Sequence, residues 1–226
     1  MNNKQHSEVT AVMITQNRER HPYVMMSIRS FLKQTYPASR LLIVNDGVPV
    51  DMDHPRIQEI ILPFQSERTL GDLRNIALDH IETPFVIQWD DDDWSHPERI
   101  QVQMNAAALS SKANVLKYQY RYDVVVGESM YVKKWRGIPG TILHPVSELR
   151  YPSLRRGEDT VFFRRWKQAD AMTILDNKPG FYVRLFTGKN TWGRKYIMNG
   201  ETLAEHPVEV QMMLAELNES DELKLN

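Results

Sequence analysis

The chain has 226 residues, of which 42% are hydrophobic and 25% are charged. These values suit one ordinary globular domain. With 28 Lys and Arg against 29 Asp and Glu, the net charge of −1 argues neither for nor against a nucleic-acid partner. Cysteine is absent, which excludes disulfides, thiolate nucleophiles and cysteine zinc sites and fits a reducing cytosol. No apolar run approaches the roughly 18 residues of a membrane span and no signal-peptide segment follows the first residues, so we expect a cytoplasmic protein, with peripheral contact at the inner face of a membrane left open.

Strand-like and helix-like segments alternate through residues 9–112. Continuous apolar runs predict strands at residues 9–15, 41–44, 57–62 and 85–89. Apolar residues at helical spacing predict helices at residues 21–34, 70–81 and 97–110. Strands that alternate with helices of this length are typical of an α/β protein, so we predict a mostly parallel, Rossmann-like central sheet flanked by helices.

The pattern changes after residue 113. It predicts strands at residues 115–120, 129–132 and 181–186 and helices at residues 158–168 and 208–217. Residues 137–140 form a predicted loop, and the polar tail at 218–226 is expected to fray. We therefore expect a smaller mixed sheet in this half. Since the sequence shows no repeat and no linker, the simplest expectation is one domain over residues 1–226.

Four consecutive aspartates, residues 90–93, follow the strand predicted at 85–89. Carboxylates this close raise one another's pKa unless a positive charge lies among them. Mg²⁺ or Mn²⁺ is the natural counter-charge for such oxygen ligands and often brings a phosphate. The alternative is a solvated acidic turn before the helix that begins near Pro97. The apolar strand before the cluster favours a ligand site, because ligands of open α/β sheets bind beyond the carboxyl ends of the strands.

Five short segments carry a resemblance to a known family through their order and spacing. They are Thr15–Arg18, Val44–Gly47, Leu73–Ala77, Asp90–Pro97 and Gly157–Asp159. Over residues 9–192 this set resembles the inverting glycosyltransferases of family 2, which have the GT-A fold. The family pattern Asp-x-Asp-Asp-x-x-x-Pro is matched at full spacing by the fourth segment.

The resemblance implies a nucleotide-diphosphate-sugar donor, in the first place a UDP-sugar, bound by residues 9–112. It implies that Asp46 accepts a hydrogen bond from the uracil ring. Arg74, or the nearby Arg68, would approach the diphosphate, where a guanidinium fork suits the phosphate geometry. A plain helix-surface salt bridge is the alternative for Arg74. The donor-binding candidates are Thr15, Gln16, Asn17, Arg18, Asp46, Arg68, Arg74, Asp90 and Asp91.

The resemblance also implies a divalent ion, Mn²⁺ or Mg²⁺, as cofactor. Asp92 would hold the ion with Asp90 close by, and the ion would stabilise the departing diphosphate as a Lewis acid. Three positions depart from the family pattern. Gln16 replaces a tyrosine, Asn45 replaces an aspartate, and Thr187 replaces the histidine that completes the metal site in many relatives.

Asp159 is the candidate general base by resemblance, since an inverting transfer needs one carboxylate to take the proton of the acceptor hydroxyl. The alternative is that Glu158 and Asp159 only favour a helix N-terminus through the helix dipole. Acceptor contacts are expected within residues 113–200, with 201–226 as final helix and tail. The acceptor candidates are Trp135, His144, Arg155, Arg156, Glu158 and Trp192.

The identity of the acceptor stays open at this point. A growing glycan, a lipid-linked glycan, a protein and a modified nucleic-acid base are all compatible with the sequence, and so is any oligomeric state. Basic pairs such as Arg155-Arg156 fit an anionic acceptor, but they also fit solvated faces. Two other functions remain as alternatives. A nucleotidyltransferase would normally carry a glycine-rich loop after the first strand, which residues 15–20 lack, and a degenerate fold could act as a binding module.

Overall fold

The computed structural model describes residues 7–16 and 20–222, with side chains up to residue 219. Within these residues the strands are β1 (Val9–Thr15), β2 (Ser39–Asn45), β3 (Ile57–Ile61), β4 (Phe85–Gln88), β5 (Trp94–Ser95), β6 (Ala113–Leu116), β7 (Tyr118–Asp123), β8 (Glu128–Lys133), β9 (Leu143–Pro145), β10 (Met172–Leu175), β11 (Tyr182–Phe186) and β12 (Glu201–Thr202). The α-helices are α1 (His21–Leu32), α2 (Leu70–Asp79), α3 (Arg99–Ser110), α4 (Glu158–Gln168), α5 (Arg194–Ile197) and α6 (Val208–Glu222).

Seven strands form the larger sheet, in the order β10-β6-β9-β4-β1-β2-β3. β1 pairs in parallel with β2 and β4, β2 with β3, and β10 with β6, whereas β9 runs antiparallel to β4 and β6. Every residue of β1 is buried, as expected for a parallel strand covered by helices on both faces. The predicted α/β architecture with a mostly parallel sheet is therefore confirmed.

Helices cover both faces of this sheet because β1 alternates its side chains between two apolar clusters. On one face Ala11 and Met13 pack with α1 and α3, around the fully buried Phe31. On the other face Val12 and Ile14 pack with α2. The strands on either side of β1 are thereby fixed in register, so that the carboxyl ends of β1, β2 and β4 open at one edge of the sheet.

Five strands form the smaller mixed sheet, in the order β12-β8-β7-β11-β5. β7 and β8 form an antiparallel pair, while β11 runs parallel to β7 and antiparallel to β5. Helix α6 packs Val210 and Met213 against Val183 and Leu185 of β11. The two sheets meet next to the aspartates, because β5 follows directly after them and pairs with β11.

Several boundaries differ from the sequence predictions. The strand predicted at 115–120 is two strands, β6 and β7, which belong to different sheets and are separated at Lys117. The loop predicted at 137–140 contains a 3-10 turn at Pro139–Thr141. The final helix continues to Glu222, beyond its predicted end at residue 217. No helix in the described part of the chain is both long and apolar enough to cross a bilayer.

Candidate active site

A cleft lies where the carboxyl ends of β1 and β4 face the first turn of α4 and strands β7 and β11. It has two connected parts. The aspartate pocket is lined by a group that includes Arg20, Arg74, Asp91, Asp92, Arg155, Arg156 and Asn190. The arginine pocket is lined by a group that includes Gln119, Arg121, Lys134, Gly140, Tyr182 and Tyr196. The two pockets share Asp90, Gly157, Asp159, Arg184 and Trp192.

Asp46 lies fully buried in the turn after β2. Gln16 donates to its Oδ2 at 3.1 Å, and the Arg68 guanidinium lies 3.7 Å from the same oxygen. The Asp46 Oδ1 has no partner among the described residues. Burial raises the pKa of Asp46 against the opposing effects of Arg68 and Gln16. This arrangement leaves one buried acceptor, Oδ1, for the N–H of a ligand.

The turn that carries Asp46 is built by its neighbours. Asn45 accepts from the Gly47 backbone N–H at 2.8 Å and donates to the Val48 carbonyl at 2.6 Å, so its amide closes the turn after β2. A Cβ on Gly47 would lie 2.0 Å from the Gln16 carbonyl oxygen, so only glycine permits this approach. The departure at Asn45 is thereby explained as a turn-forming residue, and it brings Gln16 beside Asp46.

Arg20 forms ion pairs with the aspartate cluster. Its guanidinium lies 2.6 Å from Asp91 and 2.5 Å from Asp92. Burial raises the pKa of Asp91 to about 7 and also raises the pKa of Asp92, and Arg20 opposes both shifts. The Asp91 Oδ2 has no hydrogen-bond partner among the described residues. Asp91 is therefore held by Arg20 through its Oδ1 alone.

Asn190 gives Asp92 a second protein donor. Its Nδ2 lies 2.8 Å from the Asp92 Oδ2, while its Oδ1 accepts from the Thr187 backbone N–H at 2.7 Å. Because that backbone N–H fixes the orientation of the amide, the side facing Asp92 is an N–H group. Thr187, at the position where relatives have histidine, therefore acts on the cluster only through Asn190.

Arg74 links three of the five sequence segments. Its Nε donates to Glu158 at 3.1 Å and its Nη2 to Asp90 at 3.2 Å. Burial would raise the pKa of Asp90, but Arg74, with help from Gln88 and Arg184, outweighs burial and holds it below its ordinary value. Glu158 is only 2% exposed, so the structure places it against Arg74 rather than free in the cleft. Helix α2 fixes Arg74 through a capping box between Thr69 and Asp72.

Asp159 lies in the first turn of α4, where the two pockets meet. Its Oδ1 accepts from the Thr160 backbone N–H at 2.6 Å. A Cβ on Gly140 would lie 3.1 Å from the Asp90 Oδ2 and 3.9 Å from the Asp159 Oδ2. Gly140 therefore lies close to both carboxylates. Asp159 and Asp90 both line the two pockets, so the two carboxylates mark their junction.

The remaining predicted residues fall into three groups. Arg155, Arg156 and Trp192 line the aspartate pocket. Trp135 is 71% exposed, carries Lys133 on its ring face at 3.5 Å, and lines neither pocket. His144 is buried on β9 against two rings of α4, so it does not reach the cleft either. Asn17 and Arg18 lie outside the described residues.

The predicted metal would need oxygen ligands from the aspartate cluster, whose carboxylates have partners within the protein. Among the described residues no three acidic or histidine side chains are grouped to hold a metal ion. Asp92 already accepts from Arg20 and Asn190, and Asp90 from Arg74 and Gln88. Asp93 accepts from the Tyr182 hydroxyl and the Leu185 backbone N–H, which ties it to β11. Carboxylates bonded to protein donors in this way do not fit a divalent ion. The structure therefore does not support the metal, which remains a prediction from the resemblance.

The sequence patterns gave no indication of Arg20, Arg184 or Arg121, whereas Asn190 stands in the segment 188–192, which also resembles the family. None of them stands in the five segments that carry the family pattern. Arg184 and Arg121 reach the cleft because β11 and β7 pair in parallel, with these two residues as register partners. A sequence offers no direct signal of that register, and only the even spacing of charged residues along a strand could have suggested it.

A parallel sheet with aspartates at the carboxyl end of its fourth strand, joined to a mixed sheet that completes the cleft, defines the GT-A class of glycosyltransferases. Residues 10–198 match the family described as Glycosyl transferase family 2. The chain therefore belongs to glycosyl transferase family 2. The predicted family is confirmed.

Solved structures with the same fold include S. aureus TarS. The crystal structure of TarS 1–349 with UDP-GlcNAc has a TM-score of 0.66 at 14% identity, and the match covers 92% of this chain and 66% of that one. The complex of the same fragment with UDP has a TM-score of 0.61 at 15% identity, covering 94% and 65%. The chain thus spans somewhat less than two thirds of the fragment that it matches. No curated protein matches the sequence significantly.

Proposed function

We propose that this protein transfers a sugar from a nucleotide-diphosphate sugar, in the first place a UDP-sugar, to an acceptor hydroxyl with inversion at the anomeric carbon. Family membership supports the transfer of sugar, and the TarS complexes with UDP-GlcNAc and UDP support the donor class. One observation carries the proposal: the carboxylates of Asp159 and Asp90 both lie next to Gly140 and line both pockets, at their junction.

The donor is assigned to the aspartate pocket, with its base directed toward the turn after β2. Asp46 is fully buried in that turn and lines neither pocket, but its unpartnered Oδ1 suits the N3–H of uracil, because a buried acceptor without a donor is costly. The pocket also presents the guanidinium group of Arg20, which suits the diphosphate. Arg74 contacts Asp90 and Glu158 and fixes their positions. In this proposal Arg74 therefore positions other groups, and the predicted direct contact with the diphosphate passes to Arg20.

The reaction is proposed as a single displacement. The acceptor oxygen forms a bond to the anomeric carbon while the bond from that carbon to the diphosphate oxygen breaks, and the diphosphate leaves with the electron pair. Asp159 takes the acceptor proton as general base. A backbone N–H bond to its Oδ1 leaves its Oδ2 available for that proton. The attack and the departure occur on opposite faces of the carbon, which gives inversion.

Assistance by Mn²⁺ or Mg²⁺ stays a separate prediction. When bound, such an ion would neutralise charge on the departing diphosphate. It would have to bind Asp92 in place of Arg20, and no proposed step relies on it.

Calorimetry with UDP tests the donor assignment. We expect Asp46→Asn to weaken UDP binding by at least about tenfold, because the acceptor for the base is replaced by an amide. Asp53→Asn, which removes an exposed carboxylate in the following loop, is the matched control and should bind UDP as the unmodified protein does. Equal UDP affinity in both variants would overturn the assignment of Asp46, and preference for another nucleotide would overturn the choice of UDP.

A further inference from the structure

The part of the cleft beyond the aspartates is positively charged. Among the residues that line the arginine pocket, the cations are Arg121, Lys134 and Arg184, and the carboxylates are Asp90 and Asp159. Both carboxylates lie at the junction with the aspartate pocket, which they also line. The lining that belongs to the arginine pocket alone therefore holds two cations, Arg121 and Lys134, and no carboxylate.

Arg121 is a buried cation whose partners are all neutral. It is 4% exposed, and it donates to the backbone carbonyls of Ile197 and Tyr196. The amide oxygen of Gln119, in the orientation that satisfies both groups, accepts from the Nε and Nη2 of Arg121 at 2.8 Å. Burial, and next the charge of Arg184, lower the pKa of Arg121 to about 10. A buried charge without a counter-charge is costly.

Arg184 stands directly beside Arg121. The two are register partners on the parallel strands β11 and β7, and like charges placed opposite each other on neighbouring strands are destabilising. Arg184 forms no hydrogen bond or ion pair within the described part of the chain, although it lines both pockets. Against the effect of burial, Asp93, Asp90 and Asp92 act on its charge and raise its pKa, but no described residue accepts from its guanidinium donors, which are therefore available to a bound molecule.

Lys134 completes this group at the mouth of the pocket. It follows β8, and its backbone N–H donates to the Lys117 carbonyl, which holds the segment against β7. Partial burial and then the charges of Arg121 and Arg184 lower the pKa of its ammonium. All three cations would be stabilised by one anionic group placed among them.

We propose that the acceptor carries a phosphate group close to its reacting hydroxyl, and that Arg121, Lys134 and Arg184 bind this phosphate. The inference rests on the proposed function and names the chemical class of its acceptor. The guanidinium fork of Arg184 and the ammonium of Lys134 suit the three-sided oxygen surface of a phosphate better than the flat edge of a carboxylate. Arg121, whose Nε and both Nη atoms already donate to Gln119, Tyr196 and Ile197, contributes mainly its charge. The pocket also contains the stacked rings of Trp192 and Tyr196, 4.5 Å apart and 22° from parallel. These rings offer a face to the sugar or polyol that bears the phosphate.

The test uses the full chain saturated with UDP, so that the aspartate pocket is filled before a second ligand is added. Calorimetry then measures the binding of inorganic phosphate and of glycerol 3-phosphate, with glycerol and acetate as uncharged and carboxylate probes. We expect both phosphates to bind, glycerol 3-phosphate more tightly than free phosphate, and acetate at least about tenfold more weakly.

Lys134→Gln should weaken the binding of both phosphates by about tenfold or more, since a charged hydrogen-bond donor is lost. Lys167→Gln, on the exposed side of α4, is the matched control and should change nothing. Arg121→Gln is a second variant with the same expected result, accepted only if its melting temperature shows a folded protein.

Four outcomes would overturn the inference while leaving the donor assignment intact. They are no phosphate binding to the UDP-saturated protein, equal binding of acetate, tighter binding of free phosphate than of its ester, and unchanged phosphate affinity in the Lys134 variant. Failure of UDP itself to bind would instead overturn the proposed function, and the inference with it. UDP affinity is expected to stay within about twofold in Lys134→Gln, because Lys134 does not line the aspartate pocket.

Discussion

Arg20 supplies a positive charge to the four consecutive aspartates from within the chain. The sequence predicts that such a cluster needs a positive charge, and the structure supplies one from the chain itself, 2.6 Å from Asp91 and 2.5 Å from Asp92. Asp93, in turn, is bonded to Tyr182 and to the backbone of β11. Asp90, Asp91 and Asp92 line the cleft, and the two that the family pattern predicts for the metal, Asp90 and Asp92, are among them. A single sequence could predict the cluster, but the partner of each carboxylate depends on the fold.

Arg20→Gln tests whether this internal cation excludes a metal. Without the guanidinium, two carboxylates lose their counter-charge, so a divalent ion should bind them more tightly, on the order of tenfold. Titration of Mn²⁺ in the absence of nucleotide, followed by calorimetry, measures the change. Arg40→Gln, which removes a surface cation 3.6 Å from Glu8, should leave the Mn²⁺ affinity unchanged. If Arg20→Gln also leaves it unchanged, Arg20 does not compete with a metal.

At the level of elements, long periodic segments were predictable and short ones were not. β1, α1, α2 and α4 carry clear apolar patterns, and their predicted positions agree with the structure within a few residues. β5 and β12 have two residues each, too few for any periodicity, and exist because a neighbouring strand offers backbone partners. The strand predicted at 115–120 shows a related limit. Its apolar and aromatic residues are continuous, so the sequence hides the point at which the chain passes from one sheet to the other.

Strand β9 provides a pH-dependent test of the packing of α4. His144 is buried against Phe162 and Trp166, and burial lowers its pKa from 6.5 to about 4, although its bond to the Pro145 carbonyl acts in the opposite direction. The folded protein therefore binds the proton less readily than the unfolded chain. The stabilisation is fully present above pH 6.5 and is lost as the pH falls toward 4.

We expect the free energy of unfolding to fall by up to about 3 kcal/mol between pH 6.5 and pH 4 because of this one group. Urea unfolding at a series of pH values measures the fall. His144→Gln should show a smaller fall over the same window, whatever its stability at pH 7. The same slope in both proteins would mean that His144 is protonated in the folded state.

Across the whole molecule, residues as far apart in the chain as Ile14 and Trp192 form one cleft with two connected pockets. Much of the aspartate pocket could be predicted, because residues at the carboxyl ends of parallel strands must meet at one edge of the sheet. The arginine pocket could not, because Arg121 and Arg184 meet only through the register of β7 and β11. For Arg74 only a part could be predicted. The motif identified the residue, but its positioning role follows from its two carboxylate partners, Asp90 and Glu158, which the structure shows.

The division of the cleft predicts that donor binding and proton transfer are separable. Asp159 lies at the junction, where a general base would meet the acceptor hydroxyl, and a general base typically contributes about 10²–10⁴-fold in rate. Asp159→Asn should therefore keep its UDP affinity within about twofold by calorimetry. Asp170→Asn, an exposed carboxylate beyond the other end of α4 paired only with Lys112, is the control.

The most direct measurement is the rate of UDP release from UDP-GlcNAc by the unmodified protein and these two variants, with water as acceptor. We predict that Asp159→Asn lowers this rate by at least about 100-fold at saturating donor while Asp170→Asn leaves it unchanged. If Asp159→Asn keeps more than about a tenth of the rate, Asp159 is not the base, and the proposed mechanism is contradicted.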